Sequence, residues 1–421
     1  MNHDSTLNKN ALLYHENPRP GKIATLITKP FASQSDLALA YTPGVAAPCL
    51  EIQKNPDDAY RYTSKGNLVG VISNGTAVLG LGNIGALASK PVMEGKAILF
   101  KKFSDLDAYD IEVDETDIER FCDAVAAISP TFGGINLEDI KAPECFEIER
   151  RLVERLNIPV MHDDQHGTAV ISLAAVMNGA KITNRVLEDL KIVIVGAGAA
   201  AISCARLYRF MGVKNIFMSD SKGVIHAGRE DLNDQKKEFL APDGITFDEV
   251  FRDADVAVGL SKPGSFGVED IMKMAPNPII FTLANPTPEI FPEETRAARP
   301  DAIIATGRSD FPNQVNNVLG FPFIFRGAMD VRAKIINMEM KVAASMALAE
   351  LARAPIPDYL NELYGTTLVF GKEYIIPKPF DKRLIVEVSA SVAQAAVLSG
   401  VAQVEVFDLE EYKRELSHRL S

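Results

Sequence analysis

The hydrophobic pattern of the second half of the chain alternates between short apolar runs and longer stretches with helical spacing. A β-branched run at residues 190–195 ends in the glycine-rich turn 196–201 and continues as an apolar-periodic stretch through Met211. This order predicts a strand, a tight turn and a helix. Strands that alternate with helical stretches are typical of a doubly wound parallel sheet. Further strands are predicted at residues 215–219, 255–259, 278–283 and 302–305.

The first half of the chain shows the same two periods in a different order. Residues 68–73 and 97–103 are predicted strands, whereas residues 115–128 and 143–156 have the spacing of amphipathic helices. The apolar run at residues 168–177 predicts a buried helix that leads into the doubly wound sheet. The pattern therefore indicates a second α/β unit ahead of the first.

Chain length supports a division into two domains. At 421 residues the chain exceeds the size at which a single core stops growing. We place the boundary near residue 166, which gives an N-terminal α/β domain of residues 1–165 and a doubly wound, Rossmann-type domain of residues 166–421. The second domain includes a helical C-terminal tail after Arg326 that ends in the charged stretch 409–419.

Composition and charge narrow the class of protein. The chain is 47% hydrophobic and 24% charged, as ordinary globular proteins are. Its net charge of -12 disfavours nucleic acid, because phosphate backbones bind mainly through Lys and Arg. Residues 1–10 lack a signal-peptide pattern, and no apolar run approaches the roughly 20 residues of a membrane span. We therefore expect a cytoplasmic protein that binds neither nucleic acid nor a membrane.

The glycine-rich turn has the pattern of a dinucleotide site. Gly196, Gly198 and Ala201 form a Gly-x-Gly-x-x-Ala motif directly after a predicted strand, and Ala199 lies between them at the helix start. Small residues there let the backbone approach a pyrophosphate, which is held at the helix N-terminus. The alternative is a tight turn that needs glycine only for its geometry. Asp220, which ends the next predicted strand, favours the nucleotide.

The residues after that second strand bear on the choice of cofactor. Asp220 in this position would accept hydrogen bonds from an adenosine ribose and favour NAD. Lys222 follows almost at once, and its charge can neutralise a 2′-phosphate, which favours NADP. We predict NADP, with NAD and a merely solvated lysine as the alternatives.

Acidic residues follow two short apolar stretches of the N-terminal domain. Glu138 and Asp139 come after a predicted glycine-containing connection at residues 133–136, and Asp163 and Asp164 come after the apolar residues 158–160. Carboxylates brought together from two loops make a hard oxygen site suited to Mg²⁺ or Mn²⁺. A solvated surface or a helix cap is the alternative for adjacent acids.

Two histidines flank the later acidic pair and raise the possibility of zinc. His162 and His166 are four residues apart, as in His-Glu-x-x-His metalloproteases. Asp163 stands in place of the glutamate, however, and Gly167 is predicted to open a new helix. We therefore interpret the histidines as local hydrogen-bonding partners that fix the loop.

A lysine, a tyrosine and several amides complete the candidate chemistry. Lys96 precedes a predicted strand, where burial would lower the pKa of its amine and make it a base. Tyr41 precedes a Pro-Gly turn that can present a phenol to a cleft, although a core tyrosine is the plainer interpretation. Asn285 follows a predicted strand at the edge where ligands bind, and Asn316 and Asn317 lie in a predicted loop after residues 307–310. Such amides can orient a carboxylate or a carboxamide.

Taken together, six separated segments resemble the malic enzymes, over a range from about residue 41 to at least residue 341. The segments are residues 41–46, 94–96, 137–139, 162–168, 284–287 and 313–317. The resemblance implies Glu138, Asp139 and Asp164 as metal ligands, Lys96 as base, Tyr41 as general acid, and Asn285 and Asn317 as ligands of malate. Asn285 is expected to contact the cofactor as well.

Within that family the chain is most similar to the short bacterial, NADP-linked type. Residues 220–223 match that branch, and Thr76 stands where larger members carry a substrate-binding arginine. Thr76 is therefore expected in the substrate site, and the metal and Lys141 are candidates for the missing positive charge.

The resemblance implies oxidative decarboxylation of L-malate to pyruvate and CO₂ by a homodimer or a larger homo-oligomer. One rival is a metal-dependent dehydrogenase or decarboxylase of another 2-hydroxy or 2-oxo diacid, which the fold alone would permit. A rival of a different class is a catalytically silent nucleotide-binding sensor. The complete set of predicted catalytic and metal-binding residues argues against the sensor.

Overall fold

An extended N-terminal segment precedes the first sheet. The computed structural model describes residues 2–78, 80–404 and 406–419. The segment carries four helices: α1 (Asn2–Glu16), α2 (Gln34–Ala40), α3 (Ala46–Lys54) and α4 (Ala59–Tyr62). Helices α2 to α4 contain no buried residue. This part of the chain therefore packs little against the rest of the same molecule.

The first sheet has four parallel strands in the order β2-β1-β3-β4. Its strands are β1 (Leu68–Ser73), β2 (Asp107–Glu112), β3 (Gly134–Leu137) and β4 (Val160–His162), and its helices are α5 (Ala86–Ser104), α6 (Ile118–Ile128) and α7 (Glu144–Arg155). Strands β1, β3 and β4 are buried along their whole length. Strand β1 and the two amphipathic helices lie where the sequence predicts them. The predicted connection at residues 133–136 is wrong, because most of it forms β3.

The predicted strand at residues 97–103 is also wrong, because these residues belong to helix α5. The buried positions of α5 follow helical spacing, and Met93, Ala97, Phe100 and Ser104 share its inner face. The apolar residues between them made the segment resemble a strand. Lys96 therefore projects from a helix, and the neighbouring edge strand is β2.

The second sheet has six strands in the order β10-β9-β8-β5-β6-β7. They are β5 (Lys191–Val195), β6 (Asn215–Asp220), β7 (Gly223–Val224), β8 (Val256–Gly259), β9 (Ile279–Thr282) and β10 (Ile303–Thr306). All pairs are parallel except β6 with the two-residue β7. The helices around it are α8 (Asp163–Ile182), α9 (Ala199–Phe210), α10 (Asp234–Lys237), α11 (Phe247–Phe251), α12 (Val268–Ile271) and α13 (Pro292–Ala298). This is the doubly wound, Rossmann-type sheet that the sequence predicts.

Helices complete the described chain after the second sheet, as predicted. They are α14 (Phe321–Asp330), α15 (Met338–Arg353), α16 (Asp358–Tyr364), α17 (Arg383–Leu398) and α18 (Leu409–Arg419). One apolar core extends from β1 through α8 to β5 and α17. Phe100 of α5 meets Phe321 of α14 edge to face, with 4.8 Å between ring centroids. The two sheets are thus held by shared packing.

Helix α8 joins the two sheets. It begins at Asp163 directly after β4 and runs unbroken to Ile182, so residue 166 lies in its first turn. Most of its side chains are buried, which fits the buried helix predicted at residues 168–177. The domain division near residue 166 stays a prediction. Within the described residues, no helix is both long enough and apolar enough to cross a membrane.

Candidate active site

A cavity of about 840 Å³ lies between the two sheets, and its lining includes six of the fourteen predicted site residues. Its lining on one side includes Lys96 of α5, Glu138 and Asp139 after β3, and Asp164 at the start of α8. The part of the chain around the second sheet contributes Ala200, Leu260, Ser261, Asn285, Asn316 and Asn317, and the N-terminal segment contributes His15 and Lys22. The carboxyl ends of parallel strands are the edge at which such sheets bind ligands. The cavity therefore has a carboxylate wall and a nucleotide-side wall.

Three carboxylates meet on the first wall. Glu138 and Asp139 follow β3, and Asp164 lies in the first turn of α8 after β4, so two neighbouring parallel strands bring them together. One oxygen of each lies within 4.8 Å of the others. Asn136 donates to Glu138 at 2.8 Å, and the backbone N–H of Asp139 donates to Asp164 at 2.7 Å. An all-oxygen donor set of this kind fits Mg²⁺ or Mn²⁺.

Lys96 lies beside these carboxylates on the inner side of α5. Its Nζ is 2.6 Å from Asp163 Oδ2 and 2.8 Å from Glu138 Oε1, and 4.2 Å from the ring centroid of Phe321. Burial lowers the pKa of the amine. The charges of Asp163, Glu138 and Asp164 raise it by more than burial lowers it, so the pKa of Lys96 lies above its usual value. The predicted lowering of the Lys96 pKa by burial is wrong, because the charges of three nearby acids outweigh it. The role of Lys96 as base stays a prediction.

The crowding of acids also affects Glu138. Burial raises the pKa of Glu138 well above its usual range, while Lys96 lowers it and the neighbouring aspartates Asp164 and Asp163 raise it further. Like charges held close together in a buried place favour protonation of one of them. A cation bound to the carboxylates would relieve this repulsion, and it would also weaken the field that keeps Lys96 protonated.

Asp163 connects Lys96 to Asn317. Its side chain is fully buried, and its Oδ2 accepts from Lys96 and from Asn317 Nδ2 at 3.1 Å. Thr168 in turn donates to Asn317 Oδ1 at 3.0 Å. A Cβ on Gly167 would lie 2.1 Å from Asp163 Oδ1, so this close packing requires glycine. In the sequence, the only signal for a separate role of Asp163 is its position beside Asp164.

The two histidines lie on the far side of the α8 N-terminus. Gly167 continues α8, so the prediction that it opens a new helix is wrong. His166 Nε2 is 2.9 Å from Glu149 and its Nδ1 is 3.1 Å from Lys341 Nζ, while Glu149 also accepts the backbone N–H of His162 at 2.8 Å. His166 is thus a local hydrogen-bonding partner, as predicted. The prediction is wrong for His162, because both nitrogens of its buried ring have no hydrogen-bond partner in the described part of the chain. Across the described residues, the metal-binding geometry is found only in the three-carboxylate cluster.

The structure does not bring Tyr41, Thr76 or Lys141 into the lining of the cavity. Tyr41 ends α2 with 68% of its surface exposed. Thr76 is buried, and its hydroxyl donates to Asn74 at 2.7 Å and accepts the N–H of Lys141 at 3.0 Å. Lys141 Nζ lies 3.0 Å from Glu144 in a half-exposed pair. The functional roles of Tyr41 and Thr76 stay predictions.

Two cavity residues from the N-terminal segment, His15 and Lys22, are not predicted from the sequence. Lys22 Nζ is 2.8 Å from His15 Nε2 and also donates to the carbonyl of Pro91, while its backbone N–H donates to Glu94 at 2.9 Å. Gly95 precedes Lys96 in the chain, and a Cβ on Gly95 would lie 3.7 Å from Lys22 Nζ. No motif surrounds either residue, so the sequence held no signal for them.

The nucleotide-side wall contains the glycine-rich turn. Gly196 has φ +131°, and a Cβ there would lie 2.3 Å from the carbonyl oxygen of Leu260, so the turn requires glycine. Gly198 precedes α9 with open space around its Cβ position, and Ala201 is buried. This leaves room for a pyrophosphate at the N-terminus of a 12-residue helix. Asn285 follows β9 on the same side of the cavity.

Comparison with known proteins agrees with this geometry. The family model of the malic enzyme N-terminal domain matches residues 20–117 and 112–153, and that of the malic enzyme NAD binding domain matches residues 165–361. A crystal structure of malic enzyme from Pyrococcus horikoshii superposes with a TM-score of 0.88 at 42% identity, covering 98% of this chain and 96% of that one.

Proteins similar in sequence are also named malic enzymes. The NADP-dependent malic enzyme of Salmonella typhimurium is 58% identical, and the match covers 98% of this chain and 55% of the Salmonella protein. The NADP-dependent malic enzyme of Halomonas elongata is also 58% identical, and the match covers 93% of this chain and 94% of the Halomonas protein. An NAD-dependent malic enzyme of Rhizobium meliloti is 55% identical over 98% of this chain and 54% of its own. The chain thus spans about half the length of the Salmonella and Rhizobium relatives. On the family models, the identities and the shared fold together, the chain belongs to the malic enzyme family.

Proposed function

We propose that this protein catalyses the oxidative decarboxylation of L-malate to pyruvate and CO₂, with NADP as the hydride acceptor. The observation that carries the proposal is a buried lysine held between Asp163 and Glu138, in one cavity with a three-carboxylate cluster and the glycine-rich turn. A base, a hard-cation site and a dinucleotide turn are the parts that such a reaction needs. The names of the Salmonella and Halomonas relatives support malate and NADP.

Glu138, Asp139 and Asp164 would hold Mg²⁺ or Mn²⁺. When bound, the ion supplies Lewis-acid stabilisation of charge on the substrate's C2 oxygen. The same three residues have a second effect on the chain itself. Neutralising Glu138 and Asp164 removes part of the negative field that raises the pKa of Lys96, while the larger contribution of Asp163 remains, so the amine gives up its proton more readily than without the ion.

The steps then follow from the positions of the side chains. Lys96, oriented by Asp163, accepts the proton of the C2 hydroxyl, and a bound NADP would supply the acceptor for the hydride of C2. Asn317, held by Asp163 and Thr168, and Asn285 on the opposite wall orient the substrate. The resulting oxaloacetate loses its C4 carboxylate as CO₂, and C3 takes up a proton from the general acid, for which we propose Tyr41.

The N-terminal segment supports a homo-oligomer in which Tyr41 acts on a second copy. Large apolar side chains on this segment are widely exposed, with Leu26 at 85%, Leu39 at 75% and Ile27 at 74%. Several exposed apolar side chains on one segment would suit a contact with another protein chain. Tyr41 lies among these residues and outside the cavity of its own chain. A second copy that covers the segment would receive Tyr41 in its own cavity.

Lys22 is our proposal for the positive charge that the family arginine would otherwise supply. It lines the cavity, whereas Lys141 pairs with Glu144 outside it. Burial lowers the pKa of Lys22, and the charges of Glu94 and Asp110 oppose that shift. The ammonium is therefore partly desolvated, which strengthens its attraction for a substrate carboxylate.

The first test of the proposed function is an assay of substrate and cofactor. With L-malate, Mn²⁺ and NADP, we expect equal amounts of reduced cofactor and pyruvate, followed by absorbance at the reduced-nicotinamide band and by pyruvate analysis. Related 2-hydroxy diacids serve as competitors. Reduced cofactor without pyruvate would indicate a dehydrogenase that does not decarboxylate. Pyruvate formed only from added oxaloacetate would indicate a decarboxylase, and the absence of both products would indicate a nucleotide-binding sensor.

The second prediction concerns the cation. Because burial and neighbouring acids raise the pKa of Glu138, protons compete with Mn²⁺, and the affinity for Mn²⁺ should rise with pH as protons are displaced. Calorimetric titration in two buffers of different ionisation enthalpy measures the released protons. Asp164→Asn should weaken Mn²⁺ binding by more than about tenfold. The exposed Asp189→Asn is the matched control, and equal Mn²⁺ affinities of the two variants would remove Asp164 from the site.

The third prediction tests the two-copy active site. Lys96→Ala should block hydride transfer from malate, and Tyr41→Phe should slow pyruvate formation from oxaloacetate, each by at least about a hundredfold. Mixing the two variants through refolding or co-expression should restore roughly one quarter of wild-type turnover, because half of randomly mixed dimers contain one intact site. If Tyr41 acts on its own chain, mixing restores nothing.

The fourth prediction concerns Lys22. Lys22→Met should raise the KM for malate about tenfold or more with a smaller effect on kcat, because it removes a charged hydrogen bond of roughly 1.5 to 3 kcal/mol. The KM for NADP should stay unchanged. Lys29→Met on the same exposed segment is the control. An unchanged KM for malate in Lys22→Met would assign the positive charge elsewhere.

A further inference from the structure

The carboxylate that ends β6 has no hydrogen-bonding capacity left for a ribose. Asp220 Oδ1 accepts the backbone N–H of Lys222 at 2.9 Å and Arg229 Nη1 at 2.8 Å. Its Oδ2 accepts Arg229 Nη2 at 3.0 Å and Lys236 Nζ at 2.6 Å. Four donors match the approximately four lone-pair sites of a carboxylate. The residue that would hold the ribose hydroxyls of NAD is therefore saturated by its own chain.

The surrounding charges favour an anion. Arg229 also donates to Asp231 at 3.0 and 2.9 Å, and Lys222 Nζ lies 2.8 Å from Asp231. Three cationic side chains and two carboxylates leave this cluster with one net positive charge. Despite burial, hydrogen bonds from Arg229 and Lys236 lower the pKa of Asp220 to about 2, so the carboxylate stays ionised at neutral pH.

The members of the cluster differ in the donors they can still offer. Arg229 uses all five of its N–H groups on Asp220, Asp231 and the carbonyls of residues 223 and 224. Each lysine ammonium has three donors, and the side chains of Lys222 and Lys236 make one contact each within the described chain. The two lysines are thus available to a ligand, whereas Arg229 only holds the carboxylates in place.

The cluster lies beside the nucleotide turn. The backbone N–H of Gly196 donates to the carbonyl of Ser219 at 2.9 Å, which fixes the turn against the end of β6 one residue before Asp220. In a doubly wound sheet, the adenosine ribose of a dinucleotide lies at this point. The side chain of Lys222 is 68% exposed there, so a ligand can reach it.

We propose that the Asp220–Arg229 pair is a scaffold that presents Lys222 and Lys236 to the 2′-phosphate of NADP, and that Asp220 does not bind ribose. The inference rests on the proposed function for the dinucleotide alone, not for the reaction of malate. It reverses the expectation that this aspartate favours NAD. It also gives Arg229 a positioning role and adds Lys236 as a residue that determines cofactor preference.

The test uses adenosine fragments, so that turnover is not needed. Calorimetry on the whole protein compares 2′,5′-ADP with 5′-AMP, without malate or metal. We expect tighter binding of 2′,5′-ADP, and we expect Lys236→Met and Lys222→Met each to weaken it about tenfold or more. Binding of 5′-AMP should be unchanged or tighter in Lys236→Met, because one acceptor of Asp220 is released. The neighbouring Lys237→Met, whose partner is Asp234, is the control.

Asp220→Asn separates the two roles of the aspartate. A scaffold role predicts weaker 2′,5′-ADP binding with 5′-AMP binding retained, since Lys236 loses its anchor. Selective loss of 5′-AMP binding, or equal affinity of the wild type for both fragments, would overturn the proposal. Thermal melting of each variant checks that it is folded. These binding measurements do not depend on turnover of malate, because the fragments bind without catalysis.

Discussion

The contact of Lys96 with Asp163 and Glu138 is the interaction on which the active site depends. It joins α5 to the ends of β3 and β4, and Asp163 is also the first residue of α8, the helix that connects the sheets. A buried ion pair of this kind is strongly destabilised when one partner is lost, because the other charge remains desolvated. The residue proposed as the base is therefore also part of the structural junction between the two halves of the site.

The same contact links the proposed cation to the proposed base. With acids on several sides, Lys96 holds its proton, and Glu138 is pushed toward protonation. A divalent ion placed on the three carboxylates changes both tendencies in the direction that the proposed reaction needs. Metal binding and base activation are thus two consequences of one arrangement of charge, since neither pKa can shift without affecting the other.

In the nucleotide half, the glycine-rich motif predicts the backbone of the turn and the position of Asp220, but it does not predict the hydrogen bonds of Asp220. The glycine-rich turn does what its sequence indicates, because Gly196 has a backbone conformation and a close neighbour that exclude a side chain. Asp220 also lies where the fingerprint places it. Its chemistry is nevertheless determined by Arg229 and Lys236, which lie 9 and 16 residues further along the chain. A binding motif therefore places a carboxylate without establishing what that carboxylate can still accept.

The sequence by itself determined the doubly wound sheet and its turn, whereas the three residues of the carboxylate cluster came from the resemblance to a family. Buried parallel strands are short, continuous apolar runs, and a tight turn leaves glycine in the sequence, so these features are local. Residues 97–103 were misassigned because a short apolar run does not distinguish a strand from the buried face of a helix. Only the tertiary structure showed the raised pKa of Lys96, the approach of Lys22, the exposure of Tyr41 and the saturation of Asp220. Each of these depends on charges or surfaces brought together from distant parts of the chain, and spacing along a sequence does not record such distances.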